Sequence, residues 1–247
     1  GSEMCIRDRN RIIPVFEVIG RTSLETLFEN LRGYFKNKKT KNKLQSYVIM
    51  RFKDLDKFQA DHTSQESDFY KNMEIAEDIQ MNGITSLDFS TSFSPGTINS
   101  LTSALFIMLP NLRQVDMSNT NISATGILME LSMNCPSLEK LTMHNSTGFC
   151  LSAYAMEFSS NIKEIYIDNS YFNLYQIDDD AHMADLNDHQ DTFMFHYCCN
   201  ALERVSIRNM RFIDVGFDEQ QFAFNQNVSI KFIRNAPQTL RWFRSDL

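Results

Sequence analysis

Asp178-Asp179-Asp180, together with His182, Asp185, Asp188, His189 and Asp191, brings carboxylates and imidazoles into one short stretch. Such a set can hold a divalent cation. An EF-hand needs a mid-loop glycine and a closing bidentate glutamate, and the segment has neither. It reads as a solvated acidic loop able to meet a basic partner, and no metal or cofactor is assigned to it. Lys36-Asn37-Lys38-Lys39-Thr40-Lys41-Asn42-Lys43 places five lysines in eight residues. That density suits a localisation signal or a phosphate contact, but it reads first as a solvated loop. Cys5, Cys135, Cys150, Cys198 and Cys199 form no evenly spaced framework and no Cys-x-x-Cys pair. They are expected to be free thiols in a reducing compartment. No Gly-rich phosphate loop, nucleophile elbow or His-Glu-x-x-His pattern occurs. No catalytic residue is therefore expected, and the chain does not read as an enzyme.

Composition narrows the partners. The formal charge is −7 and the pI near 5.3, which argues against a general binder of nucleic acid or anionic membrane, since phosphate recognition needs a basic face. No apolar run approaches the roughly 18 residues of a membrane span. Ile12 and Ile13 are followed closely by Pro14 and Glu17, so no secretory signal is read there. The expected setting is the cytoplasm or the nucleus. With 247 residues, 43% of them apolar and 22% charged, the chain can bury a large core. Gly1-Ser2 looks like a cloning scar, and residues 3–9 resemble sequencing-adaptor translation. Residues 1–9 are set apart as an artefact, leaving one domain over 10–247 with an acidic insertion near 173–192.

One short phrase organises that domain. Leu112-x-x-Val115-x-Met117, Leu138-x-x-Leu141-x-Met143, Ile162-x-x-Ile165-x-Ile167 and Leu202-x-x-Val205-x-Ile207 share apolar residues at the first, fourth and sixth positions. The same spacing suggests strand starts at Ile13, Leu44, Ile84 and Leu240. Between strands the period changes from 2 to about 3.6. Leu24, Leu27, Phe28, Leu31 and Phe35 predict a helix after Thr22-Ser23. Ile98, Leu101, Leu105 and Leu109 predict one ending at Pro110, and Ile127, Leu128 and Leu131 a shorter one before Pro136. Phe69, Met73, Ala76 and Ile79 predict a helix stopped by Gly83. Weaker patterns lie at Leu151, Tyr154 and Phe158, at 193–197 and at 222–233.

The phrase resembles that of leucine-rich-repeat proteins. Asn134-Cys135-Pro136-Ser137-Leu138 is similar to the cysteine-containing, ribonuclease-inhibitor-like subtype of F-box leucine-rich-repeat proteins, and Cys199 stands where Cys135 does. An asparagine recurs at Asn119, Asn145, Asn169 and Asn209, one residue before the family's usual asparagine or cysteine position, which holds Thr120, Ser146, Ser170 and Met210. The resemblance implies an α/β leucine-rich-repeat solenoid, a horseshoe of seven to eight repeats with a concave parallel sheet and convex helices. It also implies protein binding on the concave face.

Alternate strand residues point to opposite faces. The expected binding face is therefore Asp88, Gln114, Asp116, Lys140, His144, Glu164, Tyr166, Asp168, Arg204 and Arg208, with Ser86, Ser90, Ser118, Thr142 and Ser206 between them. Tyr166 is the leading anchor, because aromatic residues and Arg dominate interface energetics. His144 would neighbour Asp168. The expected function is a protein interaction scaffold of unknown partner. The alternatives implied by the resemblance are the substrate receptor, or adaptor, of an F-box-type ubiquitin ligase and a GTPase-activating protein.

Overall fold

Three-residue strands with one buried and two more exposed side chains set the architecture. The computed structural model describes residues 3–8, 11–19, 24–53, 74–89, 104–120, 130–146, 149–150, 161–173, 201–213, 233 and 236–246. Strands β1 (Glu3–Asp8) and β2 (Arg11–Ile19) are followed by helices α1 (Leu24–Lys36) and α2 (Lys38–Leu44). Then come β3 (Ile49–Lys53), β4 (Ser86–Asp88), β5 (Gln114–Asp116), β6 (Lys140–Thr142) and β7 (Phe149–Cys150). The series ends with β8 (Glu164–Tyr166), β9 (Tyr171–Asn173), β10 (Arg204–Ser206), β11 (Arg211–Ile213) and β12 (Trp242–Arg244).

Nine strands form one sheet in the order β1-β2-β3-β4-β5-β6-β8-β10-β12. β1 runs antiparallel to β2, and every later pair is parallel. Met50, Leu87, Val115, Leu141, Ile165, Val205 and Phe243 stand opposite one another in that register. All but the half-buried Phe243 are essentially inaccessible to solvent. Flanking rows reinforce them: Ile84, Leu112, Leu138, Ile162 and Leu202 before the strands, and Phe89, Met117, Met143, Ile167 and Ile207 after them. Phe52 and Phe89 stack at 4.6 Å. Burial of each such side chain contributes about 1.5–3 kcal/mol. The helical face of the core comes from Leu27, Phe28 and Leu31 of α1 and from helical residues within 74–77, 104–108 and 130–134.

The parallel strands from β4 to β12 of the nine-stranded sheet begin in the same way. Two successive N–H groups donate to one carbonyl just ahead of the neighbouring strand: Arg113 and Gln114 to Thr85, Glu139 and Lys140 to Arg113, Lys163 and Glu164 to Glu139, Glu203 and Arg204 to Lys163. Each central strand ends with an asparagine in the left-handed region, at φ 63° (Asn119), 54° (Asn145), 59° (Asn169) and 51° (Asn209). Asparagine tolerates that backbone better than other residues with a Cβ. After the turns that follow β6, β8 and β10, the chain enters a second parallel sheet, in the order β11-β9-β7.

These findings correct the expected leucine-rich-repeat solenoid. The fold is an α/β fold whose parallel sheet is flanked by helices that cluster, with α1 packed on α2. It is not a curved, open horseshoe with a single convex helix after each strand, and the descriptions repeat, solenoid and leucine-rich repeat do not apply. The antiparallel β1 and the three-stranded sheet have no counterpart in that expectation. The reason is physical. Apolar residues at three phrase positions specify which strand face is buried and in which register. They specify neither curvature nor the element that follows.

Smaller corrections have local causes. Leu44 closes α2 instead of starting a strand, and Ile49, not Ser46, pairs with Ser86. The lysine tract spans a helix junction: Lys36 ends α1 and Lys38 to Lys43 lie in α2, capped where the Asn37 side chain accepts from the Lys39 N–H at 2.9 Å. The expected helices at 151–158, 193–197 and most of 222–233, with the acidic segment and Cys199, lie outside the described residues.

Gly83 is required by close approach. An added Cβ would lie 2.1 Å from the Gln45 carbonyl oxygen and 2.7 Å from that of Tyr47. Gly83→Ala should therefore cost about 1–3 kcal/mol, read as a lower midpoint in urea denaturation. Cys135 donates to the carbonyls of Phe106 and Leu109 at 3.7 and 3.8 Å, and burial pushes its thiol up to about 12. Since the thiolate is the reactive form, peptide mapping should find Cys135 unalkylated in the native chain and alkylated after denaturation.

Candidate functional site: the polar face of the sheet

The register that buries one face assembles the other. Ile49, Ser86, Gln114, Lys140, Glu164, Arg204 and Trp242 form one row. Glu17, Arg51, Asp88, Asp116, Thr142, Tyr166, Ser206 and Arg244 form the next. Beyond the strand ends come Ser118, His144, Asp168 and Arg208, joined through hydrogen bonds across the strands. Of the residues expected on the binding face, Asp88, Gln114, Asp116, Lys140, Glu164, Tyr166 and Arg204 lie in these two rows, and His144, Asp168 and Arg208 lie past the strand ends. Their environments divide them into two groups.

The first group is consumed by the structure. Asp88 accepts from Arg51 Nε at 2.7 Å, and Lys53 Nζ lies 2.7 Å from Oε1 of the buried Glu17. Asp116 Oδ1 accepts from the Ser118 N–H at 3.0 Å. A lateral ladder then crosses the strand ends. The His144 N–H donates to Ser118 Oγ at 3.0 Å, and the Asp168 N–H donates to His144 Nδ1 at 3.1 Å. The Arg208 N–H donates to Asp168 Oδ1 at 2.9 Å. Nδ1 is thus the ring atom that His144 contributes to the ladder.

Asp168 is the most engaged member. It also accepts from Ser206 Oγ at 2.5 Å, and its Oδ2 faces the Arg208 guanidinium at 3.3 and 3.4 Å. Burial opposes its charge, but the hydrogen bonds from Ser206 and Arg208, with His144 alongside, hold the carboxyl below its ordinary range. The asparagine turns add outer rungs: Asn145 donates to Asn119 at 2.8 Å and Asn209 to Asn169 at 2.9 Å. Beneath them Thr120, Ser146 and Ser170 are buried, and their hydroxyls donate to the carbonyls of Met117 and Met143.

The second group stays available. Lys140 Nζ sits 5.1 Å from the centroid of the Tyr166 ring, and the Tyr166 and Trp242 rings are 6.2 Å apart at 51°. The Tyr166 hydroxyl donates to Glu164 Oε2 at 3.1 Å. Burial and that neighbouring carboxylate push the phenol above its ordinary value, so it remains a donor at neutral pH. Arg204 Nε lies 3.8 Å from Glu164 Oε1, a loose and exposed pair. Gln114, Arg204, Trp242 and Arg244 are exposed.

Trp242, Arg244 and Arg51 were absent from the face expected from sequence. The sequence carries a signal for the first two, since Leu240 reads as a strand start and the same offsets reach residues 242 and 244. Among the described residues, no group of three or more His, Cys, Asp or Glu could hold a metal ion. No described helix is long and apolar enough to cross a membrane.

No family model matches the chain, and no curated protein matches it. The parallel sheet flanked by clustering helices corrects the resemblance to leucine-rich-repeat proteins of the cysteine-containing, ribonuclease-inhibitor-like subtype. The chain is characterised by its own face and fold.

Asp168→Asn should destabilise the fold by about 1.5–3 kcal/mol at neutral pH, the scale of hydrogen bonds to a charged group. Because the folded pKa is depressed, this contribution is fully present above the unfolded value of about 3.9 and is lost as pH falls through the lower folded value. Urea titrations across the acid range should show wild type and variant converging at low pH.

Proposed function

We propose that the polar face of the nine-stranded sheet is a protein-binding surface and that the chain acts by holding a partner, without catalysis. The observation that carries this reading is the pair of accessible rings, Tyr166 on β8 and Trp242 on the edge strand β12, held two strands apart on a rigid sheet and bordered by Lys140, Arg204 and Arg244. A Trp that is 39% exposed on a regular strand is an anchor without a cover among the described residues. Aromatic residues and Arg are the types that dominate measured interface energies. Short strands fixed from behind by a dense core lose little conformational freedom when a partner docks. The free, buried thiol of Cys135 suits a reducing cytoplasmic or nuclear setting. No observation among the described residues favours the ubiquitin-ligase or the GTPase-activating alternative.

The test is affinity capture with the wild type against a Tyr166→Ala, Arg204→Ala, Trp242→Ala variant. The variant should keep its circular dichroism spectrum and lose a specific partner at least about tenfold, equivalent to 1.4 kcal/mol. Equal recovery of every specific partner by the folded variant overturns the reading.

A further inference from the structure

Charge is distributed unevenly across the polar face. On the β2–β5 side, Glu17 is opposed by Lys53 and Asp88 by Arg51, so the cations there are spent internally. On the β6–β12 side the balance reverses. Lys140, Arg204 and Arg244 surround Tyr166 and Trp242, and Glu164 is the one carboxylate in the same two rows of that corner. Glu164 already accepts from the Tyr166 hydroxyl and lies 3.8 Å from Arg204. Beyond the strand ends, Asp168 is occupied by Ser206 and Arg208, and Asp246 accepts from the Asn209 N–H. Neither Lys140 nor Arg244 forms an ion pair among the described residues. A chain of net charge −7 thus holds a local excess of positive charge around two rings.

We infer that the β6–β12 corner of this face takes an acidic peptide segment of a partner protein, with an apolar side chain of that segment seated against Tyr166 and Trp242 and its carboxylates facing Lys140, Arg204 and Arg244. The inference rests on the protein-binding reading above and supplies the chemistry of its partner. Charge complementarity selects the occupant. A basic segment would face three cations, while a neutral one would leave Lys140 and Arg244 without counter-charges on desolvation, which costs several-fold in affinity per group. Lys140 and Arg204 also flank the Tyr166 ring, so the apolar anchor and the carboxylates must alternate along the bound segment. An extended peptide, whose successive side chains diverge, meets that demand.

Trp242 is the single tryptophan of the chain, so its emission reports directly on this corner. The probes are short synthetic peptides of alternating Glu and Leu, with matched peptides carrying Gln or Lys in place of Glu. The Glu peptide should produce a saturable shift of Trp242 emission, weakening with added salt as exposed charge pairs do. The Gln peptide should bind at least about tenfold more weakly. In a Lys140→Gln, Arg244→Gln variant the preference for Glu over Gln should fall by about tenfold. A double Arg204→Glu, Arg244→Glu variant should instead prefer the Lys peptide, which separates altered recognition from a failure to fold.

No saturable shift with the Glu peptide, or equal binding of the Glu and Gln peptides, overturns the inference. So does a concentration-dependent mass in sedimentation with a Trp242 shift in the absence of peptide, which would make a second copy of the chain the occupant. A captured partner that depends on Tyr166 and Trp242 but binds through a neutral or basic segment overturns this inference while leaving the sheet-face reading intact.

Discussion

A parallel strand of three residues has too few hydrogen bonds to hold itself in place, so every strand here depends on the register of its neighbours. A slip of one residue between β5 and β6 would turn Leu141 out to solvent and drive Lys140 or Thr142 into the core. The shared carbonyl at the start of β4, β5, β6, β8, β10 and β12 prevents this from one end, because two consecutive N–H groups converge on a single oxygen. The asparagine turn and the buried hydroxyl behind it prevent it from the other. Core packing, polar face and binding corner all inherit their geometry from that clamped register.

The polar face consequently does two jobs with similar residue types. Asp168 and Glu164 are both carboxylates on β8 or its exit, yet one is buried under four hydrogen bonds and the other remains in reach of solvent. The difference arises from the neighbours. Ser206 and Arg208 converge on Asp168, whereas Glu164 has a phenol and a loosely held guanidinium. His144 belongs with Asp168, because its ring nitrogen supplies an acceptor to the backbone of the next strand.

Strand positions on the central sheet were legible because apolar periodicity is a local signal. Ile84, Leu112, Leu138, Ile162 and Leu202 each precede a strand by two residues, and the faces follow by alternation. Leu44 misled because a helix and a strand phrase share apolar spacing over four residues, and only the Asn37 cap separates them. Fold architecture was misread because curvature and flanking layers are properties of the segments between phrases. The ladder from Ser118 to Arg208 was invisible for another reason. Its rungs join residues 24 to 40 positions apart, and a single sequence reveals that Ser118, His144 and Asp168 share a face without revealing which of them accepts from which backbone. Gly83 looked like a helix stop, since nothing in the sequence reveals the Gln45 carbonyl against it.

The unequal spacing of the strands carries a consequence for how the molecule forms. Paired residues are 26 positions apart between β5 and β6 and 24 between β6 and β8, but 40 between β8 and β10, 38 between β10 and β12 and 37 between β3 and β4. The entropy lost in closing a loop rises with its length, by about 0.6 kcal/mol for each doubling. The central trio is therefore the least costly place to nucleate the sheet. Once formed, it offers a ready template on both sides, and the outer strands add to an existing edge. The corner holding Trp242 is assembled late on such a route, after the strands that give it its shape.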